Sequence, residues 1–305
     1  MSKDLVFIAS GGRTGTTFFG ERLEEVVADC HSEHEPDVLA RNWEKATARI
    51  KKFGVWHMVF GRILGISGLR VIGHNYLAGK IDDEECIKRL REQRADYFGQ
   101  IDKSLIVESS WRYWMMAPVL PQAFPGCRII GVVRDARDWI ESWSRYMPQR
   151  HRKSVTGWFP QGPLTPAQVG DTEWADQWDN LDPFGRLAWD WRIITRELAR
   201  ADASGDHVRV FKFEELFDPD SSDRVEELIH FAAFDGKYGV THLAGFTQRV
   251  RTASSGPRIK WQSWTPEQVR LVDAMCGDLM RQYGYGNEPE WLAKLEEAGV
   301  TAKAA

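Results

Sequence analysis

The residues with the clearest chemical potential stand near the start of the chain: Ser10-Gly11-Gly12-Arg13-Thr14-Gly15-Thr16-Thr17, directly after the apolar run Leu5–Ala9. Phe19, Leu23 and Val26 follow at roughly helical spacing. A strand, a Gly-rich loop and a helix in that order cradle phosphate on backbone N–H groups. A nucleoside-triphosphatase loop reads G-x-x-x-x-G-K-[ST], with lysine after the last glycine. Here Thr16 follows Gly15, and the cation, Arg13, stands two residues before that glycine. The loop has the chemistry of phosphate binding without the lysine of an ordinary ATPase.

A second constellation is Ile129-Ile130-Gly131-Val132-Val133-Arg134-Asp135-Ala136-Arg137-Asp138-Trp139-Ile140-Glu141-Ser142. A buried strand ends in Arg-Asp and a helix starts at once. Asp135 suits an N-cap and Asp138 the positive end of the helix dipole. Arg134 would leave the strand at its carboxyl end, and Ser142 lies about two helical turns on. An arginine and a hydroxyl so placed could hold a second phosphate; Arg134 could equally pair with an acid of its own helix. A third constellation, Cys30-His31-Ser32-Glu33-His34-Glu35-Pro36-Asp37, offers general bases, and it reads equally as a solvated acidic turn. The remaining histidines read as surface or structural groups.

The elements that must position these groups follow from hydrophobic patterning. Continuous apolar runs at Leu5–Ala9, Ser104–Val107, Arg128–Val133 and His207–Phe211 suit strands buried on both faces of a parallel sheet. Helical periodicity covers about residues 16–28, 83–99, 112–123, 135–146, 182–203, 222–234 and 265–282. The alternation predicts an α/β fold, doubly wound, with a mostly parallel central sheet and helices on both faces. Ligands then bind at the carboxyl ends of the strands. Residues 1–305 read as one domain with insertions at about 37–81 and 148–180. The second insertion is rich in Pro and Gly and carries Trp158, Phe159, Trp174 and Trp178, which favours a packed lid over a linker.

Composition narrows the function classes. Net charge of −4 argues against a nucleic-acid binder with a general basic surface. The four cysteines (Cys30, Cys86, Cys127, Cys276) form no C-x-x-C pair, so no zinc or redox site is expected and a reducing compartment suits them. No signal peptide fits ahead of Leu5, and no apolar stretch approaches the roughly 18–20 residues that span a bilayer. A cytoplasmic chain is expected, and a homo-oligomer is left open.

In combination, these motifs resemble the sulfotransferases that use 3′-phosphoadenosine 5′-phosphosulfate (PAPS), the bacterial members in particular. Ser10–Thr17 resembles their 5′-phosphosulfate loop. Arg134 followed by Ser142 resembles their 3′-phosphate motif, and Phe124–Arg134 its approach. Ser254-Ser255-Gly256-Pro257-Arg258-Ile259-Lys260-Trp261, with Trp264–Gln268 and Tyr283–Tyr285, resembles their closing segment more weakly. The likeness covers about residues 4–24, 104–146, 207–235 and 250–286.

The resemblance implies PAPS as sulfuryl donor, PAP as product, no metal, and the hydroxyl of a small-molecule, sugar or lipid acceptor. It implies that Gly11, Gly12, Thr14, Gly15, Thr16 and Thr17 wrap the 5′-phosphate, and that Arg13 neutralises charge as the S–O bond breaks. Arg134 and Ser142 would hold the 3′-phosphate. Phe18 and Phe213 match adenine-stacking positions, although each also fits a core role. The family's basic pair is replaced by Ser254-Ser255, leaving Arg251, Arg258 or Lys260 as substitutes beside Ser255 and Gly256. Glu35 is the first choice of general base, with Glu33, His34 and Asp37 as rivals; Glu108 could orient the acceptor or bind Arg13. Trp43, Trp56, Tyr76, Trp158 and Phe159 would shape the acceptor pocket. A P-loop small-molecule kinase and an inactive nucleotide-binding homologue are the alternatives; the missing loop lysine opposes the first.

Overall fold

The computed structural model describes residues 3–38, 43–61, 64, 67–145, 164–217, 222–242, 246 and 260–300. In chain order the strands are β1 (Asp4–Ser10), β2 (Cys30–His34), β3 (Leu105–Ser110), β4 (Arg128–Val133) and β5 (Val208–Lys212). They form one sheet in the order β2-β3-β1-β4-β5, and every pairing is parallel. Three of the apolar runs become the fully or nearly fully covered strands β1, β3 and β4, and the fourth becomes β5, an edge. The strand that patterning misses is β2. Its residues, Cys-His-Ser-Glu-His, carry no apolar run, and only Cys30 and Ser32 of them are buried.

Helices α1 (Thr16–Arg22), α2 (Trp43–Val55), α3 (Leu69–Leu77), α4 (Asp83–Gly99), α5 (Leu120–Ala123), α6 (Ala136–Ser144), α7 (Thr172–Ala175), α8 (Pro183–Asp202), α9 (Phe213–Leu216), α10 (Ser222–Ala232), α11 (Pro266–Gln282) and α12 (Pro289–Glu297) complete the described chain. Their starts are chemically marked. Asp82 accepts from Glu85 N, Asp135 from Arg137 N and Asp182 from Gly185 N, while Thr265 and Gln268 close a capping box. Residues 16–28 give a shorter helix than periodicity suggests, ending in a 3-10 turn at Leu23–Glu25. Residues 112–123 divide into a 3-10 turn (Tyr113–Met116) and α5. Of the insertion at 37–81, the described part is largely helical. Of that at 148–180, residues 164–180 form short turns packed by Trp174 and Trp178, and residues 148–163 lie outside the described residues.

The alternation of β1 sorts the core. Phe7 and Ala9 face a large cluster with α4, α8 and α11, whereas Val6 and Ile8 face a smaller one with α1 and α10. Both faces of the sheet are therefore covered, and functional groups are left to the strand ends. No helix among the described residues is long and apolar enough to cross a membrane.

Candidate functional site

Parallel strands end together, so Ser10, His34, Ser110, Val133 and Lys212 close one edge of the sheet. The Gly-rich loop leaves β1 there with positive φ at Gly12 (72°), Arg13 (59°) and Gly15 (77°). Turns with left-handed residues can bring successive N–H groups to one side, the form of an anion-binding concavity. Carbonyls on its other side are tied down: Trp139 Nε1 donates to Gly12 O (3.0 Å) and Arg134 Nη1 to Arg13 O (3.1 Å). Ser109 Oγ donates to Thr16 O at 2.8 Å. A Cβ on Gly15 would stand 2.3 Å from Phe217, and one on Gly12 2.9 Å from Trp143, so packing as well as φ demands glycine. Thr14 Oγ1 is buried and has no hydrogen-bond partner, an orphan that a bound anion at the loop could satisfy. Thr16 is buried and Thr17 exposed.

The two motifs separated by 129 residues meet here: Arg13 Nε donates to Ser142 Oγ at 3.0 Å. Arg134 lies over the Phe213 ring at 4.5 Å and reaches Asp138 only at 3.9 Å, while its carbonyl accepts from Trp191 Nε1. Phe213 thus has a cation on one face. Phe18 sits in an aromatic cluster with Phe19, Phe217 and Phe246. Lys260 is exposed; Arg249, Arg251, Ser255, Gly256 and Arg258 lie outside the described residues.

The ends of β2 and β3 gather the candidate bases, and their surroundings differ. Glu35 follows β2 with φ of 47° and is half-buried; Arg112 Nη1 donates to its Oε1 at 2.9 Å. His34 Nε2 stands 4.0 Å from the other Glu35 oxygen. Burial holds the His34 imidazole down to about 4, so it is neutral at physiological pH and a weak base. Burial would push Glu33 up, but hydrogen bonds from His31, Lys52 and Tyr97 outweigh it and hold the carboxyl at about 2. Asp37 is buried, with Arg94 at 3.5 Å and His57 at 3.9 Å. Glu108 is bound by Arg94, not by Arg13: the fully buried guanidinium grips both carboxylate oxygens at 2.8 Å.

Sequence patterning overlooks Arg94, Arg112 and Trp139. A signal for Arg94 existed: it falls on the apolar stripe Cys86, Leu90, Tyr97 and Phe98 of α4. Trp43 and Trp56, expected to line an acceptor pocket, point to solvent instead, 82% and 59% exposed. Tyr76 lines a cleft of about 600 Å³ with Ile81, Pro118 and Arg200, which contains none of the nucleotide-loop, second-motif or general-base candidates. Among the described residues no three His, Cys, Asp or Glu side chains converge as metal ligands.

No family model matches the chain, and no curated protein matches it. Three solved structures align over most of its length. A sulfotransferase from Alicyclobacillus acidocaldarius is 16% identical, over 96% of this chain and 100% of that one, with a TM-score of 0.45. The sulfotransferase domain of the curacin biosynthetic pathway is 13% identical, over 99% of each chain, with a TM-score of 0.44. The sulfotransferase domain of the Synechococcus PCC 7002 olefin synthase is 10% identical, over 90% of this chain and 95% of that one, with a TM-score of 0.38.

Proposed function

We propose that the chain moves a sulfuryl group from PAPS to the hydroxyl of a small-molecule, glycan or lipid acceptor. What carries this reading is the meeting of Arg13, Ser142 and Arg134 beside a lysine-free phosphate loop. One phosphate would be held at Gly11–Thr17, a reading that the orphaned, buried Thr14 Oγ1 supports. A second anion is what Arg134 and Ser142, on the neighbouring β4–α6 unit, would recognise. ADP and ATP carry their phosphates in one chain on the 5′ oxygen, whereas PAPS carries one at the 5′ and one at the 3′ position of its ribose.

When bound, the donor supplies a sulfuryl group on a phosphate leaving group. The remaining work falls to the chain's own residues. Loop N–H groups and the Thr16 and Thr17 hydroxyls hold the 5′-phosphate, with Arg13 neutralising developing charge. Phe18, Phe213, Ser255 and Gly256 complete the nucleotide's surroundings. Glu35 takes the acceptor proton: Arg112 holds one of its oxygens and leaves the carboxylate at the strand edge. Glu33 and Glu108 are too tightly engaged for that role, and His34 is too weakly basic.

Thermal melting tests the reading. At about 100 Kd, PAP should stabilise the wild type by about 2.7 kcal/mol, roughly 5 °C for a chain of this size. ADP should do much less, and Arg134→Ala should remove most of the PAP effect. A chain stabilised by ATP and magnesium but not by PAP overturns the proposal in favour of a kinase. Mass spectrometry for the gain of one sulfuryl group on extract metabolites then identifies the acceptor.

A further inference from the structure

Ser109 is fully buried at the end of β3, and its hydroxyl touches both the phosphate loop and the strand that carries the candidate bases. Oγ donates to Thr16 O at 2.8 Å, at the start of α1, and stands 3.4 Å from His34 Nδ1, at the end of β2. The helix after the loop packs directly on this pair. A Cβ on Gly20 would stand 2.7 Å from Ser109 Cβ and 2.9 Å from His34 Cβ.

The hydrogen bookkeeping here has one solution. A hydroxyl has a single hydrogen, and a backbone carbonyl only accepts. Ser109 gives that hydrogen to Thr16 O, so towards His34 its oxygen can only accept. The Ser109 carbonyl, which takes Glu35 N at 2.8 Å, also acts on the ring as an acceptor. The proton therefore belongs on Nδ1. Burial, helped by the Arg49 and Arg112 guanidinium groups, outweighs the Glu21 carboxylate and holds the ring at about 4, so His34 is neutral at physiological pH. In a neutral imidazole one nitrogen donates and the other accepts. Nε2 then bears a lone pair 4.0 Å from Glu35 Oε2, too far for a direct hydrogen bond, while Arg112 engages Glu35 Oε1 at 2.9 Å.

We infer that Ser109 is a positioning residue that fixes His34 as the Nδ1–H tautomer, so that Nε2 stands beside Glu35 Oε2 as a second hydrogen-bond acceptor. Only the consequence rests on the proposed function: Glu35 takes the proton of the reacting hydroxyl, and Nε2 accepts from a second O–H or N–H of the same substrate. Two lone pairs so placed favour a vicinal diol or an amino alcohol over an isolated hydroxyl.

Long-range proton–nitrogen correlation spectra of the protein labelled at histidine test the tautomer, with the His34 signals assigned by their loss in His34→Asn. At pH 7 His34 should show a protonated Nδ1 and an unprotonated Nε2. A protonated Nε2, or a ring protonated at both nitrogens, overturns the inference. Ser109→Ala should bring Nε2–H into exchange with Nδ1–H, and an unchanged spectrum overturns the role of Ser109. Ser109→Cys, whose sulfur is a weaker acceptor, carries this arm if the alanine variant does not fold. His34→Asn keeps a donor towards Ser109 and places nothing at Nε2, so it should slow sulfuryl gain on extract metabolites about five- to tenfold. His34→Gln, whose amide oxygen reaches that position, should recover most of the rate. Transfer by His34→Asn at the wild-type rate, or products with no second O–H or N–H near the sulfate, overturns the consequence. The PAP melting shift should be the same in both His34 variants as in the wild type. If PAP fails to stabilise the wild type, the sulfotransferase reading falls while the spectrum still decides the tautomer.

Discussion

Arg94 is the residue on which the β2–β3 end of the candidate site rests. It is fully buried, bidentate to Glu108, 3.5 Å from Asp37, and covered by the Phe53 ring at 5.6 Å. Burial alone would lower its pKa, but the facing Glu108 carboxylate outweighs burial and keeps the guanidinium charged. Removing one partner strands a buried charge. Arg94→Met and Glu108→Gln should therefore each cost about 3–5 kcal/mol in urea unfolding. Arg94→Met combined with Glu108→Leu should cost less than the sum of the separate changes, because neither member of the pair then faces a missing partner, although Asp37 loses its Arg94 neighbour at 3.5 Å. Single variants that unfold within about 1 kcal/mol of wild type would show the pair to be idle. The pair was half legible in sequence. An arginine on the apolar stripe of α4 announces a buried partner, and Glu108 interrupts an apolar strand; that the two face each other depends on how α4 packs on β3, which local pattern does not record.

At the scale of the element, β2 shows why part of the site escaped patterning. Its backbone pairs with β3 from Cys30–Leu105 to His34–Ser109, yet only Cys30 and Ser32 are buried. Reciprocal bonds between Ser32 and Glu24, 3.1 and 3.2 Å, hold it where apolar side chains do not. The strand is a product of its neighbours, whereas β1, β3 and β4 declare themselves by continuous apolar runs. Its polar end also makes it sensitive to acid. The folded His34 pKa, about 4, lies below the ordinary 6.5, so between those values the unfolded chain binds more protons. Stability from this group is complete above about pH 6.5 and drains as pH falls towards 4, by up to about 3 kcal/mol. His34→Asn should flatten that part of the profile. Urea midpoints for both proteins at pH 7 and pH 5 measure it, and equal slopes would remove His34 from the account.

For the whole molecule, the sheet order explains how loop and second motif meet: β1 lies beside β4, so Arg13 and Ser142 converge although the chain between them builds two further strands. Residue types made each motif legible; only the crossover brings them together. The carboxyl-terminal α12 was not legible as part of this assembly, because its role is a long-range contact. Arg137, in the first turn of α6, lies near the rings of Trp261 (4.9 Å) and Trp291 (5.1 Å), which meet edge to face, and is bonded to Asp135 (2.5 Å) and Glu288 (2.8 Å). Asp135 in turn caps α6, and its N–H donates to Glu214, whose other oxygen accepts from Tyr285. The start of α6, with Arg134 just before it, is thus held from the far end of the chain. Trp291 is itself fully buried, so Trp291→Ala should cost about 3–5 kcal/mol of stability. On the proposed function it should also weaken PAP several-fold, less than Arg134→Ala does, since it loosens the support and leaves the contact. Trp291→Phe keeps a ring beneath Arg137 and should restore most of both. Calorimetric titration with PAP, run beside urea unfolding, separates the two effects: affinity unchanged while stability falls would make α12 a core element with no hold on the nucleotide site.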